Sequence, residues 1–94
     1  MIRSFRSEET RLICEGKRVP DFERLHNQAP KRLRLLEAAA SLQDLFQLQS
    51  AGLKLSEGDP KGKYSLLIRG KWRVFFEWPE GAAGPEKVQI RRAG

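Results

Sequence analysis

The sequence predicts an α+β fold: a small antiparallel or mixed sheet of about four strands, with two N-terminal helices packed on one of its faces. Three observations predict it. From Gly58 to Trp78 (GDPKGKYSLLIRGKWRVFFEW) apolar and polar residues alternate on either side of a glycine, the pattern of two strands joined by a tight reversal. Between Phe22 and Ala40 apolar residues recur at steps of three and four, which marks one face of a helix. Both hairpin strands carry apolar side chains on more than one face, as central strands under a helical layer do.

Taken in order, Met1 to Phe5 (MIRSF) alternates and suits a short first strand. Ser7 followed by Glu8 and Glu9 supplies a hydroxyl cap and first-turn carboxylates, so a short helix over 7–15 is expected, stopped by Gly16. Lys17 to Pro20 is a connector. Asp21 can cap a second helix whose apolar stripe is Phe22, Leu25, Ala29, Leu33, Leu36 and Ala40. Pro30 interrupts it, so the helix either kinks there or starts near Pro30 after a separate turn. Arg24, Lys31, Arg32 and Arg34 form a basic edge opposite the stripe, either a solvated face or a contact for nucleic acid or a partner protein. Ser41 to Leu48 reads as a helical turn that packs Leu42, Leu45 and Phe46. Leu53 and Leu55 have strand spacing and lead into the hairpin.

The hairpin divides by parity. Tyr64, Leu66 and Ile68 share one face of its first strand; Lys63, Ser65, Leu67 and Arg69 share the other. Trp72, Val74, Phe76 and Trp78 share a face of the second strand, opposite Lys71, Arg73, Phe75 and Glu77. Arg69 and Gly70 are placed at the reversal, since glycine accepts the positive φ of such turns. After a loop at 79–85, Lys87 to Ile90 forms a last strand with Val88 and Ile90 facing together. Arg73 lies in an apolar run. Its guanidinium therefore needs a carboxylate from the fold, with Glu77 two same-face positions along, or a phosphate from outside.

Composition narrows the function classes. Ninety-four residues, 39% hydrophobic and 32% charged, describe one globular domain. No apolar run spans a bilayer and the N-terminus turns charged too soon for a secretory signal, so a cytoplasmic protein is expected. A lone Cys14 allows no intrachain disulfide or thiolate metal site, and a lone His26 allows little zinc chemistry. GDPKGK lacks the phosphate-loop spacing, and no cofactor is expected. The net charge of +6 and a pI near 10.0 favour a polyanionic partner, although such charge also serves solubility. Five of the eighteen basic residues lie in the 58–78 hairpin beside both tryptophans and the single tyrosine. Lysines and arginines on a sheet can position an RNA phosphate and stabilise charge growing on it, while the ribose 2′-OH serves as nucleophile.

MIRSF, LEAAASLQDL, the block GDPKGKYSLLIRGKWRVFFEW and a closing V-x-I strand together resemble the HigB-type toxins of the RelE superfamily, the plasmid-maintenance killer family of type II toxin–antitoxin systems. The resemblance covers nearly the whole chain. It implies a single toxin domain over 1–94 with a RelE-like fold. It further implies a cytoplasmic mRNA interferase: an endoribonuclease that cleaves mRNA on the translating ribosome and so inhibits translation. The implied partners are the ribosome, mRNA and a cognate HigA-like helix-turn-helix antitoxin, with operator DNA reached only through that antitoxin and no membrane. Arg24, Arg32 and Arg34 are expected to contact the antitoxin.

The sequence also departs from the family. The usual Asp-Tyr-His terminus is matched by Arg92, Ala93 and Gly94, the basic residue before the GD pair by Glu57, and a mid-strand arginine by Leu67, with Arg69 two positions on. Catalysis would then rest on Arg73, Lys61, Lys63, Tyr64 and Arg92, and RNA binding on Lys54, Arg69, Lys71 and Arg91. Three readings follow: an active ribosome-dependent nuclease, a degenerate toxin that still binds its antitoxin, or a basic RNA-binding module without catalysis.

Overall fold

The computed structural model describes residues 1–48, 55–58 and 62–93. Three α-helices, α1 (Glu8–Cys14), α2 (Gln28–Ala38) and α3 (Leu42–Gln47), precede four strands, β1 (Leu55–Glu57), β2 (Lys63–Arg69), β3 (Trp72–Glu77) and β4 (Glu86–Arg92). The strands form one antiparallel sheet in the order β1-β2-β3-β4. The predicted α+β architecture, with helices on one face, is the observed one. Among the described residues no helix is long and apolar enough to cross a membrane.

Local chemistry explains the helices. The Ser7 hydroxyl accepts the Thr10 N–H at 3.2 Å and caps α1, and Gly16 follows at φ +87°. Pro20 opens a 3-10 helix over Pro20–Leu25 in which Phe22 leaves helical geometry (φ −114°, ψ 25°), turning its ring onto Trp72 at 5.5 Å between centroids. A new helix, α2, begins at Gln28, so Pro30 falls in its first turn, where a missing N–H costs nothing. Of the two sequence alternatives, the separate turn is therefore the one formed. Ser41 caps α3 by accepting the Asp44 N–H at 3.4 Å.

One layer of side chains joins helices to sheet. Leu25, Ala29, Leu33, Leu36 and Leu45 meet Leu66, Ile68, Val74, Phe76, Val88 and Ile90, all buried. Ala39 rather than Ala40 closes the α2 stripe, because the helix ends at Ala38 and the chain turns. Two further contacts tie the layers. Thr10, fully buried, accepts the Ile90 N–H at 2.9 Å through its hydroxyl. Arg32 donates from Nε to the Leu67 carbonyl at 2.9 Å.

Five further expectations change. Asp21 lies inside the 3-10 helix, which Val19 precedes, and α2 starts later at Gln28 with no side-chain cap. The strand over Met1–Phe5 reduces to a single parallel bridge, Phe5 with Val88. Lys87 sits at φ +53° beside a register shift, which interrupts regular pairing there, and the chain must already turn to cap α1 at Ser7. The hairpin turn is Gly70–Lys71 rather than Arg69–Gly70, since Arg69 pairs with Trp72 and Gly70 takes φ +58°. The register shifts between Leu67 and Arg69, which moves Arg69 off the Lys63–Ser65–Leu67 face and into the Trp72 row. Arg32 leaves the predicted solvent edge because its guanidinium reaches back to β2.

Candidate nucleic-acid interface

With the helices on one side, alternation presents Ser56, Lys63, Ser65, Leu67, Arg73, Phe75, Glu77, Gln89 and Arg91 on the other. Antiparallel register aligns them in rows across the strands. Leu67, Arg73 and Arg91 form one row; Ser56, Ser65, Phe75 and Gln89 form the next; Lys63, Glu77 and Glu86 form the third. A cleft of about 290 Å³ lies over the second and third rows, lined by Ser56, Glu57, Lys63, Ser65, Phe75, Glu77, Lys87, Gln89, Arg91 and, from outside the sheet, Arg6.

Arg73 borders this cleft and is joined to it by hydrogen bonds. Its Nε donates to Ser65 Oγ at 2.8 Å, and one terminal nitrogen reaches the Ser65 carbonyl at 3.1 Å and Ser56 Oγ at 3.2 Å. Ser65 is buried, so the guanidinium is held in a fixed orientation rather than left to sample solvent. Partial burial depresses the Arg73 pKa below the ordinary guanidinium value. Glu77, the carboxylate the sequence offered to Arg73, is engaged by Arg6 at 3.4 Å and Lys87 Nζ at 3.7 Å.

Arg91 sits on an aromatic ring of the cleft, Phe75. Its Cζ lies 3.9 Å from the centroid of the Phe75 ring. The carboxylates here are Glu77, taken up by two cations, Glu86, paired with Arg3 at 3.7 Å, and Glu57, exposed at the β1 end and without an ion pair among the described residues. Arg6, Lys63, Arg73, Lys87 and Arg91 thus outnumber the carboxylates on this face.

The structure separates the residues singled out from the sequence. Lys63, Arg73 and Arg91 share the open face. Arg92 has the parity of Val88 and Ile90 and pairs with Trp72, so it points to the opposite side, where it lines a second depression with Phe22, Lys71, Trp72 and Arg24. Arg69 turns to the same side through the register shift and lines a neighbouring depression with Arg24, Leu25 and Trp72. The adjacent arginines of the C-terminus therefore serve different surfaces. Tyr64 borders the cleft, but its ring packs against Phe76 at 5.8 Å and Phe46 at 6.3 Å, and burial, then the Glu57 charge, raises its pKa. Lys54 and Lys61 lie outside the described residues. Arg24 and Arg34 are exposed, whereas Arg32 is bound to the Leu67 carbonyl. His26 is exposed, with Nδ1 2.8 Å from the Glu23 carbonyl at the end of the 3-10 helix.

Parity sets Phe75 on the face of Arg73, although not as a site residue; two other cleft residues escape sequence reasoning. Arg6 arrives from 71 positions away from Glu77, and no local pattern could have placed it there. Lys87 is turned into the cleft by its positive φ and the β3–β4 register shift. Among the described residues no group of three or more His, Cys, Asp or Glu comes together to hold a metal ion.

No family model matches the chain. The chain is similar to the Endoribonuclease HigB of Proteus vulgaris, 28% identical over 88 residues that cover 88% of this chain and 90% of that protein.

Proposed function

We propose that this chain is an RNA-cleaving toxin of the HigB type, a single domain that acts in the cytoplasm on mRNA at the translating ribosome and is silenced by a helix-turn-helix antitoxin. The observation that carries the reading is Arg73, a half-buried guanidinium fixed by Ser65 and Ser56 beside a cleft rich in Lys and Arg. A scissile phosphate is the group such a site suits, because it accepts charge-assisted hydrogen bonds from several cations at once. The similarity to an endoribonuclease over most of both chains supports the same chemistry.

The mechanism follows from what the cleft supplies. The 2′-oxygen attacks the adjacent phosphorus and a P–O2′ bond forms as the P–O5′ bond breaks, leaving a 2′,3′-cyclic phosphate and a 5′-hydroxyl. Arg73 and Arg91 bind the non-bridging oxygens, where negative charge gathers. The 2′-OH proton passes to Glu57, the carboxylate at the cleft without an ion pair, and the departing 5′-oxygen takes a proton from the Lys63 ammonium. Burial raises the Tyr64 pKa, so its phenol stays protonated at neutral pH and can serve the cleft as a hydrogen-bond donor or acceptor but not as a base.

One observation favours a second reading, a toxin that keeps its binding functions but cuts weakly. Arg92 turns to the far side of the sheet and Ala93 carries no titratable group, so the end of the chain, among the described residues, brings no acid or base to the cleft. Induced expression separates the readings. Growth arrest with cleavage of ribosome-bound mRNA, relieved by a neighbouring helix-turn-helix protein, supports the active toxin. Stable binding to that neighbour without arrest or cleavage supports the second reading. Absence of both leaves only an RNA-binding module.

A further inference from the structure

We propose that Phe75 and Arg91 together form a stacking platform for an unpaired nucleobase next to the phosphate ligand Arg73, so that the cleft selects single-stranded RNA by base stacking as well as by charge. This rests on the RNA reading given above and adds to it the recognition of a base.

Phe75 is a half-buried aromatic on the face turned away from the helices, outside the buried core. A large apolar ring on a cationic surface is costly to keep in water unless something covers it. Arg91 covers part of it now, its guanidinium 3.9 Å from the ring centroid. A guanidinium held over a ring is a plane that a nucleobase can extend by stacking on the outer face of Arg91, with Phe75 supporting it from below.

The register places the platform next to the phosphate ligand. Phe75 is the cross-strand neighbour of Ser65, whose hydroxyl accepts from Arg73 Nε at 2.8 Å, and Arg73 is the cross-strand neighbour of Arg91. The ring thus has the Arg73 guanidinium on its β2 side and the Arg91 guanidinium above it. On the β4 side its neighbour is Gln89, which lines the same cleft with an amide that can donate to and accept from a base edge. A volume of about 290 Å³ is small among ligand clefts, ~300–1,000 Å³, and suits one base with its sugar phosphate. Within a duplex both faces of a base are already stacked, so the platform can engage only an unpaired one.

The test uses the whole chain and a short fluorescent single-stranded oligoribonucleotide with 2′-O-methyl sugars, which cannot be cleaved, alongside an abasic version with the same number of phosphates. The wild type should bind the base-bearing strand about 10-fold more tightly than the abasic one. Phe75→Leu, which keeps apolar volume but no ring, should erase that difference. Arg91→Lys should also erase it while keeping the salt dependence of binding, because the charge count is unchanged. Arg91 is exposed, so the lysine variant gives a readout even if Phe75→Leu folds poorly. The platform is overturned, with the RNA reading intact, if the wild type binds both strands equally or if both variants keep the wild-type preference. Failure of the wild type to bind either strand at low salt overturns the RNA reading and the platform with it.

Discussion

Replacing Thr10 with valine removes one atom's chemistry from the joint between α1 and β4 and nothing else. Thr10 is fully buried, and its hydroxyl accepts the Ile90 N–H at 2.9 Å while sitting 2.6 Å from Ser7 Oγ. Valine has the same shape, so no cavity opens. A buried Ile90 N–H left without an acceptor costs ~1–3 kcal/mol. The added methyl returns at most ~0.8 kcal/mol of apolar burial. The net loss is then about 1–2 kcal/mol, which for a chain of this size lowers Tm by roughly 5–15 °C. Urea unfolding should show a lower midpoint with an unchanged slope. Amide exchange should show lost protection at Ile90, and Thr10→Ser, which keeps the oxygen, should retain it. An unchanged Tm with Ile90 still protected would refute the reasoning, and with it the claim that this hydroxyl fixes the strand carrying Arg91.

Three further outcomes are expected. Tyr64 is the single tyrosine, so phenolate absorbance reports it alone, and its midpoint should lie above the ordinary phenol value. Since folding raises that pKa, the stabilisation is present below the ordinary phenol value and is lost as pH rises through the raised one; Tyr64→Phe should remove this alkaline dependence. Arg32→Met keeps the stem but leaves the Leu67 carbonyl without its donor, and about 1 kcal/mol of stability should go, with amide shifts centred on the β2 register shift. Glu8 and Glu23 have depressed pKa values, chiefly through hydrogen bonds from Arg11 and Arg18. That stabilisation is present above the ordinary carboxylate value and is lost as pH falls through the depressed ones. Both pairs are exposed, so the acid slope should be slight, weaken in salt and flatten further in a Glu8→Gln, Glu23→Gln variant.

The fold was legible where a local rule suffices. The Ser7 cap, the α2 stripe and the alternation of β2 and β3 each follow from residues within a few positions of one another. The open face was legible for the same reason: Lys63, Arg73 and Phe75 follow from parity alone. Parity failed where the ladder slips, and one register shift carried Arg69 to the other surface. The C-terminal Arg91 and Arg92 looked equivalent as a charged pair, yet an extended backbone must send them to opposite faces. Arg6 and Lys87 were illegible because their meeting at Glu77 depends on the N-terminal segment crossing β4, a contact between chain ends. The Arg32 bond to Leu67, 35 positions away, is illegible on the same ground.

The central claim is that Arg73 holds the scissile phosphate, and the rate of cleavage of mRNA on translating ribosomes under single-turnover conditions tests it most directly. Arg73→Ala should fold, with Ser65 and Ser56 left to water, and its rate should drop ~10²–10³-fold, the usual loss for one donor to a developing oxyanion. Arg73→Lys should recover only part of that, because lysine keeps the charge but not the Nε bond to Ser65. A folded Arg73→Ala protein that cuts at the wild-type rate would contradict the account and return Arg73 to a purely structural role between β1, β2 and β3.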